Sequence, residues 1–582
     1  MALNPYYEDE LSYLRELGRE FSQANPKLAP FLGRDATDPD VERLLEGFAF
    51  LVARLRQKLD DEFPEFVHGL LRMVWPQYLQ PVPPITTLAF DIAESSSANF
   101  LSVPAGTSVR SRPLEGTSCP FVTCYPVDVL PLKVEGFQLD NRASSARLTL
   151  RIKATGRHTL ACLQKHRLRL FFATEREPQV GRLLLTWISR HLTQATVMVA
   201  DRQVAAVEPA HITPCGWSDE HAVLPWPHNG FAGFRIVQEY LLCPEKFLYM
   251  ELPSLEALAD SQDNACTIVF DFRRPFPDQM RLADGQIRLN CTPAINVFSH
   301  EASPIRIERA KTEYRVMPSG GPTYSIRSVD RVIGFIQGRP ERIEFESFDS
   351  LRHDLPGSET NHAFFRARIR PAVVGRGVDH YVSFVDRTER NRQPDIEVAS
   401  LNLTCSNGPI ADRLPVGAID QPGPDTPRAV TFANITSVTP ELPPPISDGL
   451  LRRLTANLAR NYGSLADIDT LRTVIATYDF RAVRDAQARR RLELLLEGFD
   501  RFATHDSDTI LRGAPIRMRS IELFLVDSKI GGEGELFLLG AVLDAFFATY
   551  AGINMLHRFA VRGSETNIQY TWPPRTGTIT PF

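Results

Sequence analysis

Residues 38–66 read DPDVERLLEGFAFLVARLRQKLDDEFPEF, and the spacing of apolar residues in this stretch decides how the chain begins. Asp38 is a good N-cap, and Pro39 suits the first helical position, where a missing N–H costs nothing. Val41, Leu44, Leu45, Phe48, Leu51, Val52, Leu55 and Leu59 then recur at three- and four-residue steps, one apolar stripe along a long helix. Upstream, Tyr7, Leu11, Leu14 and Phe21 repeat the pattern; downstream, Phe66, Leu70, Leu71 and Val74 do so again. Pro26 and Pro30 break the first junction and the Phe63-Pro64 pair the second, so residues 1–80 are expected to form three helices of a small bundle-like element. Burying one large apolar side chain stabilises by roughly 1.5–3 kcal/mol, and so small a bundle is marginal alone. The element is therefore expected to pack against the rest of the chain or another subunit, with the stripe from Val41 to Leu59 as the candidate interface.

The 582 residues leave room for roughly three to five domains of ~100–200 residues each. Hydrophobic residues at 43% and charged residues at 23% exclude a disordered chain. A balance of 65 basic against 70 acidic side chains, net −5, offers no field for nucleic acid or an anionic membrane. The eight cysteines show no CxxC and no short even framework, which reads as reduced thiols in a cytosolic protein. Met1-Ala2-Leu3-Asn4 leads into an acidic segment without the basic and apolar regions of an export signal. The run from Leu536 to Leu556 is almost wholly apolar, but Asp544 interrupts it, and Thr549 and Asn554 weaken it. A charge near a bilayer centre costs at least ~2.5–3.5 kcal/mol, so the run reads as a buried core helix and no membrane insertion is expected.

Pro81-Val82-Pro83-Pro84 ends the helical block, and the apolar period changes. Thr86 to Ile92, Leu148 to Ile152, Leu168 to Phe172, Thr267 to Phe272 and Ile396 to Thr404 read as short strands, with a tight turn at Val103-Pro104-Ala105-Gly106-Thr107. Residues 85–440 are thus expected to be β-rich, with two or more sandwich-like or barrel-like units and no clean internal boundary. Helical spacing returns after Pro443-Pro444-Pro445: Leu450, Leu451, Leu454 and Leu458 form one stripe. Ser464 with Asp467 suggests a capping box ahead of Leu465, Ile468, Leu471 and Ile475. Ile521 to Leu525 alternates like a strand, and Gly531-Gly532-Glu533-Gly534 turns into the apolar helix. The whole reads as a multidomain α+β chain: an N-terminal helical element, β-rich middle domains, and a C-terminal α+β domain over 446–582 that is expected to fold by itself. Asp544 is expected to emerge at a rim or to meet an arginine from 448–495, and Phe546 to sit in the domain core.

Chemistry-bearing motifs are sparse. The Gly531–Gly534 turn lacks the Lys-Ser/Thr of a phosphate loop, and Glu533 stands where phosphate would sit. His211, Cys215, His221 and His228 are spaced irregularly for zinc, among Pro214, Trp217, Pro225, Trp226 and Pro227, and read as an ordered aromatic–proline loop. No nucleophile elbow, zincin helix or kinase signature is present, so no catalytic, cofactor-binding or metal residue is nominated and no cofactor is expected. Arg489-Arg490-Arg491 reads as the solvated face of a helix.

Several blocks, in order along the chain, resemble one family. They are Tyr6 to Arg15, Asp38 to Phe50, Lys58 to Glu65, Glu239-Tyr240 with Pro244 to Phe247, Glu313 to Val316 with Ser328 to Val332, Leu403 to Asn407, and Trp572 to Thr578. The chain resembles the TssF family (also called ImpG/VasA) of type VI secretion baseplate subunits. Met250 with Leu252 departs from the more aromatic run that family shows. The resemblance implies a structural role without catalytic residues, similar to contractile-phage wedge proteins. It implies assembly of two TssF copies with one TssG, in a wedge that also carries TssK and TssE. Six such wedges would surround a VgrG-like spike hub at the cytoplasmic face of the inner membrane, the platform for tail tube and sheath. Two other classes stay open on the residues alone: a β-sandwich enzyme acting on glycans, and a freestanding ligand-binding module.

Overall fold

The computed structural model describes residues 7–8, 11–15, 17, 39–93, 96–173, 177–226, 231–259, 261–308, 311–320, 324–336, 342–348, 363–372, 377–385, 396–446, 467–511, 513–551 and 555–576. The chain divides into two compact units, residues 1–75 with 447–455, and residues 76–446 with 456–582.

In the first unit, helix α1 spans Pro39–Val74, 36 residues, beginning where Asp38-Pro39 predicts. It runs without interruption through Phe63-Pro64, which corrects the expected break there. Proline removes one N–H and disturbs the preceding turn. That local loss does not outweigh the cooperative ladder on either side of it. Residues 11–15 are helical as well, and the Arg15 guanidinium pairs with Glu42 on α1. Pro26, Pro30 and Phe21 lie outside the described residues.

The second unit begins where the prolines end. A six-stranded antiparallel sheet takes the order Gln421–Pro422, Ser108–Arg110, Pro120–Thr123, Cys291–Ile295, Ile85–Ile92, Val430–Asn434. Its core holds Phe90, Phe121, Val103 and Ile419. Strands from residues 85–92, 291–295 and 430–434 lie side by side in it, which is the physical reason no clean boundary shows in the sequence of the middle region. A five-stranded sheet includes Ala146–Ala154 and Ala265–Phe272, and a four-stranded one includes Leu168–Phe172 and Tyr249–Leu252. An eight-stranded sheet over residues 298–406 contains one parallel pair, Arg342–Ser347 with Ala363–Pro371. The middle region also carries two helices that the period-two reading overlooked, α2 (Pro178–Arg190) and α3 (Ala232–Leu242).

Beyond residue 466 come α4 (Ile468–Tyr478), α5 (Ala486–Glu497) and a hairpin of Phe499–Leu511 with Ala514–Leu525. Asp467 itself caps α4, its carboxylate accepting from the Thr470 N–H at 3.1 Å. This replaces the capping box centred on Ser464, which lies outside the described residues together with Leu450, Leu451, Leu454, Leu458 and Leu465. Gly531 and Gly532 take positive φ, 107° and 91°, and turn the chain into α6 (Glu533–Tyr550). That helix is the crossover between Ala514–Leu525 and the parallel strand Met555–Gly563. α6 is enclosed by that strand, α2 and α3, so the C-terminal segment and the middle region share one core. Phe546 is fully buried, with its ring 5.5 Å from Phe234 of α3. Among the described residues, no helix is long and apolar enough to cross a membrane.

Asp544 does not reach a rim, and among the described residues it meets no arginine of 467–495. It is fully buried on α6, with Arg575 Nη2 2.7 Å and His557 Nε2 3.5 Å from its carboxylate oxygens. Parallel pairing puts His557 on the sheet beside α6, and strand Arg575–Thr576 pairs with it in the register His557↔Arg575. The cation therefore comes from the last described strand.

Candidate partner interface

α1 advances about 100° per residue, so Leu44, Phe48 and Leu51 fall within a ~60° arc, with Val41, Val52 and Leu45 on its flank and Ala49 and Ala53 further round. Burial follows this order. Leu44, Phe48 and Leu51 are 73%, 57% and 60% exposed, Val41, Val52 and Leu45 are half-buried, and Ala49 and Ala53 are fully buried. The side chains of Leu55 and Leu59 lie outside the described residues. Periodicity found the stripe but not its division: the covered positions are the small alanines, and the large side chains stand in water. Phe50 and, on the preceding helical segment, Tyr13 and Leu17 add to the exposed apolar surface. Each large side chain would gain roughly 1.5–3 kcal/mol on full burial, which makes this arc the candidate interface.

Among the described residues, the loop with the irregular histidines brings no metal-ligand set together. The Cys215 thiol lies 3.7 Å from His221 Nε2, while His221 Nδ1 is 2.9 Å from Ser218 Oγ. Burial pushes the Cys215 thiol up to about 11, and burial followed by the charge of Arg169 lowers the His221 pKa, so a neutral thiol faces a neutral ring. His211 is exposed, His228 lies outside the described residues, and among the described residues no three His, Cys, Asp or Glu side chains converge.

Two of the blocks that carry the family resemblance help hold the second unit together. Buried Glu239 accepts from the backbone N–H groups of Val223 (2.7 Å) and Leu224 (2.9 Å) and pairs with buried Lys246, anchoring the aromatic–proline loop to α3. The Tyr240 hydroxyl donates to Glu535, which also pairs with Arg182, joining α3 and α2 to the first turn of α6. Trp572 stacks on Phe537 at 5.8 Å, with the Arg190 guanidinium 5.1 Å from its ring. Of these residues the sequence marks Glu239, Tyr240, Lys246 and Trp572 only by likeness, and it gives no sign of Arg182, Arg190, Glu535 or Phe537 as their partners.

Exposed leucines and a phenylalanine on α1, and buried ion pairs within the second unit, are features compatible with a structural subunit. The sequence profile of the family "Type VI secretion system, TssF" matches residues 1–579. The type VI secretion system component TssF1 of Pseudomonas aeruginosa is 27% identical over an alignment 618 positions long, gaps included, covering 98% of each chain. A chain in the cryo-electron microscopy structure of the type VI secretion system TssK-TssF-TssG baseplate subcomplex is 26% identical with a TM-score of 0.76, over 92% of this chain and 98% of that one. A chain in the baseplate complex from the type VI secretion system is 26% identical with a TM-score of 0.62, over the full length of both. The chain belongs to the TssF family and is a structural subunit of the type VI secretion baseplate.

Proposed function

We propose that the chain takes the TssF place in a baseplate wedge, joined to TssG and TssK, and that the exposed face of α1 packs against partner helices there. The observation carrying this reading is the apolar arc of Leu44, Phe48 and Leu51 on a chain similar along its length to one in a TssK-TssF-TssG baseplate subcomplex. Two copies of the chain per TssG, with TssE in the same wedge and wedges arranged round a VgrG-like hub at the cytoplasmic face of the inner membrane, complete the proposal. The role is scaffolding, without catalysis or cofactor. Co-expression with the TssG-like chain from the same genome, followed by mass measurement, tests the composition. Leu44→Asp with Phe48→Asp should abolish pull-down of that chain while far-UV circular dichroism stays unchanged, because burying unpaired carboxylates at a helix interface is strongly unfavourable. An intact complex bearing both charges would refute the α1 assignment.

A further inference from the structure

Within the second unit, a cavity of about 660 Å³ lies where the first turn of α2, the end of α3, α5 with the segment before it, and the start of α6 converge. Leu492, Leu495 and Ile530 give it an apolar wall, and charged side chains surround the rest. By count the charges balance, but three of the four carboxylates are already engaged. Glu535 is held by Arg182 and the Tyr240 hydroxyl. Asp479 accepts from the N–H groups of Arg481 (3.0 Å) and Ala482 (3.2 Å), and Asp485 caps α5 through the Gln487 N–H at 2.8 Å. Glu177 stands exposed at the mouth, and Lys529 is paired with Glu497 at 3.3 Å.

The donors are not engaged in the same way. Among the described residues, the guanidinium groups of Arg481 and Arg491 make no hydrogen bond or ion pair and touch Asp479 only through longer-range attraction. The Nε–H of Arg182, on a side chain 8% exposed, donates to none of them either. The Arg489–Arg491 run is exposed throughout, as a solvated face requires, but its three side chains differ in what they engage. Arg489 donates to the Ala482 and Val483 carbonyls, Arg490 pairs with Glu493 at 3.2 Å, and Arg491 lines the cavity.

Uncommitted guanidinium donors beside an apolar wall match a carboxylate, which they bind by charge-assisted, geometrically specific hydrogen bonds. A cavity of this size admits a few side chains. We propose that it receives an acidic–apolar segment of another baseplate protein, a carboxylate reaching Arg481 and Arg491 while a neighbouring aliphatic side chain packs at Leu492 and Leu495. The proposal rests on the reading of the chain as an assembly subunit, and its test is independent of α1.

Fluorescence anisotropy of the full-length protein with a labelled Leu-Glu-Glu-Leu-Glu peptide and its Gln-for-Glu counterpart provides that test. The acidic peptide should saturate the protein, weaken as salt rises, and lose at least about tenfold in affinity on Arg481→Glu with Arg491→Glu. The Gln peptide should bind at least about tenfold more weakly than the acidic one. Arg491→Glu alone, at an exposed helix position, should also weaken binding without moving the melting midpoint, which separates lost docking from lost folding. Equal binding by the native protein and the double variant, or no saturation of the native protein, would overturn the proposal. So would saturation by inorganic phosphate with no binding of the peptide, which would make the cavity a plain oxyanion site. Failure here with the α1 pull-down intact would leave the wedge assignment standing.

Discussion

α1 and α6 are both rich in leucine and phenylalanine, yet one holds them out to water and the other encloses them. On α6, Leu536, Leu538, Val542, Leu543, Phe546 and Phe547 are at most 1% exposed, and with buried Phe537, Ala541 and Ala548 they occupy most of the circumference. On α1 the apolar residues keep to one side, charged residues fill much of the remainder, and the fully buried positions of its first turns are Ala49 and Ala53. The width of the apolar arc separates the two cases. A helix apolar all round must be enclosed by its own chain, whereas a one-sided helix with alanines under cover leaves its large residues for something else. The clearest ways to break this contrast are substitutions that treat the two helices alike.

The largest effect is expected from Phe546→Ala. Phe546 touches Phe234 and Tyr550, with ring centroids 5.5 and 5.2 Å away, and truncation leaves a cavity between α6 and α3. The loss should be about 3–5 kcal/mol, read from the denaturant midpoint of the full chain. A loss under about 1 kcal/mol would show that α6 is not the enclosed partner in the comparison.

Next comes Arg575→Gln, which takes the nearer cation from fully buried Asp544. Breaking a buried pair costs about 3–5 kcal/mol; because Arg575 is itself 47% exposed and His557 remains 3.5 Å away, about 2–3 kcal/mol is expected. Adding Asp544→Asn should restore most of it, since the uncompensated charge is the cause. A double variant as unstable as Arg575→Gln alone would mean that strand Arg575–Thr576 stabilises by backbone pairing and not by charge.

Gly540→Ala sharpens how closely α6 is enclosed. A Cβ there would stand 2.4 Å from the Trp572 ring and 2.7 Å from Val561, with Arg190 and Phe537 against the same tryptophan. Overpacking of this kind costs roughly 1–3 kcal/mol, and a neutral result in urea unfolding would show slack around the ring.

These residues also mark where the chain was legible before folding. The start of α1, the strand at Leu168–Phe172, the alternation at Ile521–Leu525 and the Gly531–Gly534 turn were readable because each depends on neighbours within a few residues. Asp544 was recognised as needing a partner, but the partner lies thirty-odd residues on, and the parallel register of Ala514–Leu525 with Met555–Gly563 decides which side chains face it. Pro64 misled because a local rule was weighed without the cooperativity of a 36-residue helix. In α2 and α3 the helical spacing was present in the sequence, at Val180, Leu184, Trp187 and Ile188 for instance, but was masked by strands on both sides. At the candidate interface, periodicity marked the apolar stripe of α1, while the split between covered alanines and exposed leucines follows from which neighbours arrive.

The smallest effect on stability belongs to the face of α1 that is meant to matter most for assembly. Leu44→Ser with Phe48→Ser removes apolar surface that already lies in water, 73% and 57% exposed, so unfolding of the isolated chain should shift by no more than about 0.5 kcal/mol. The same change on α6 would be ruinous. Helix propensity works slightly against serine relative to leucine, by a few tenths of a kcal/mol, which falls inside that window. Affinity for the TssG-like partner should fall far more, because each side chain would lose the roughly 1.5–3 kcal/mol available on burial. Thermal melts of the isolated chain and titration against the partner, run on one protein preparation, give the two numbers. A midpoint lowered as much as that of Phe546→Ala would mean that the arc is covered within the chain itself. Unchanged partner affinity would mean that the arc, though exposed, is not the face the assembly uses.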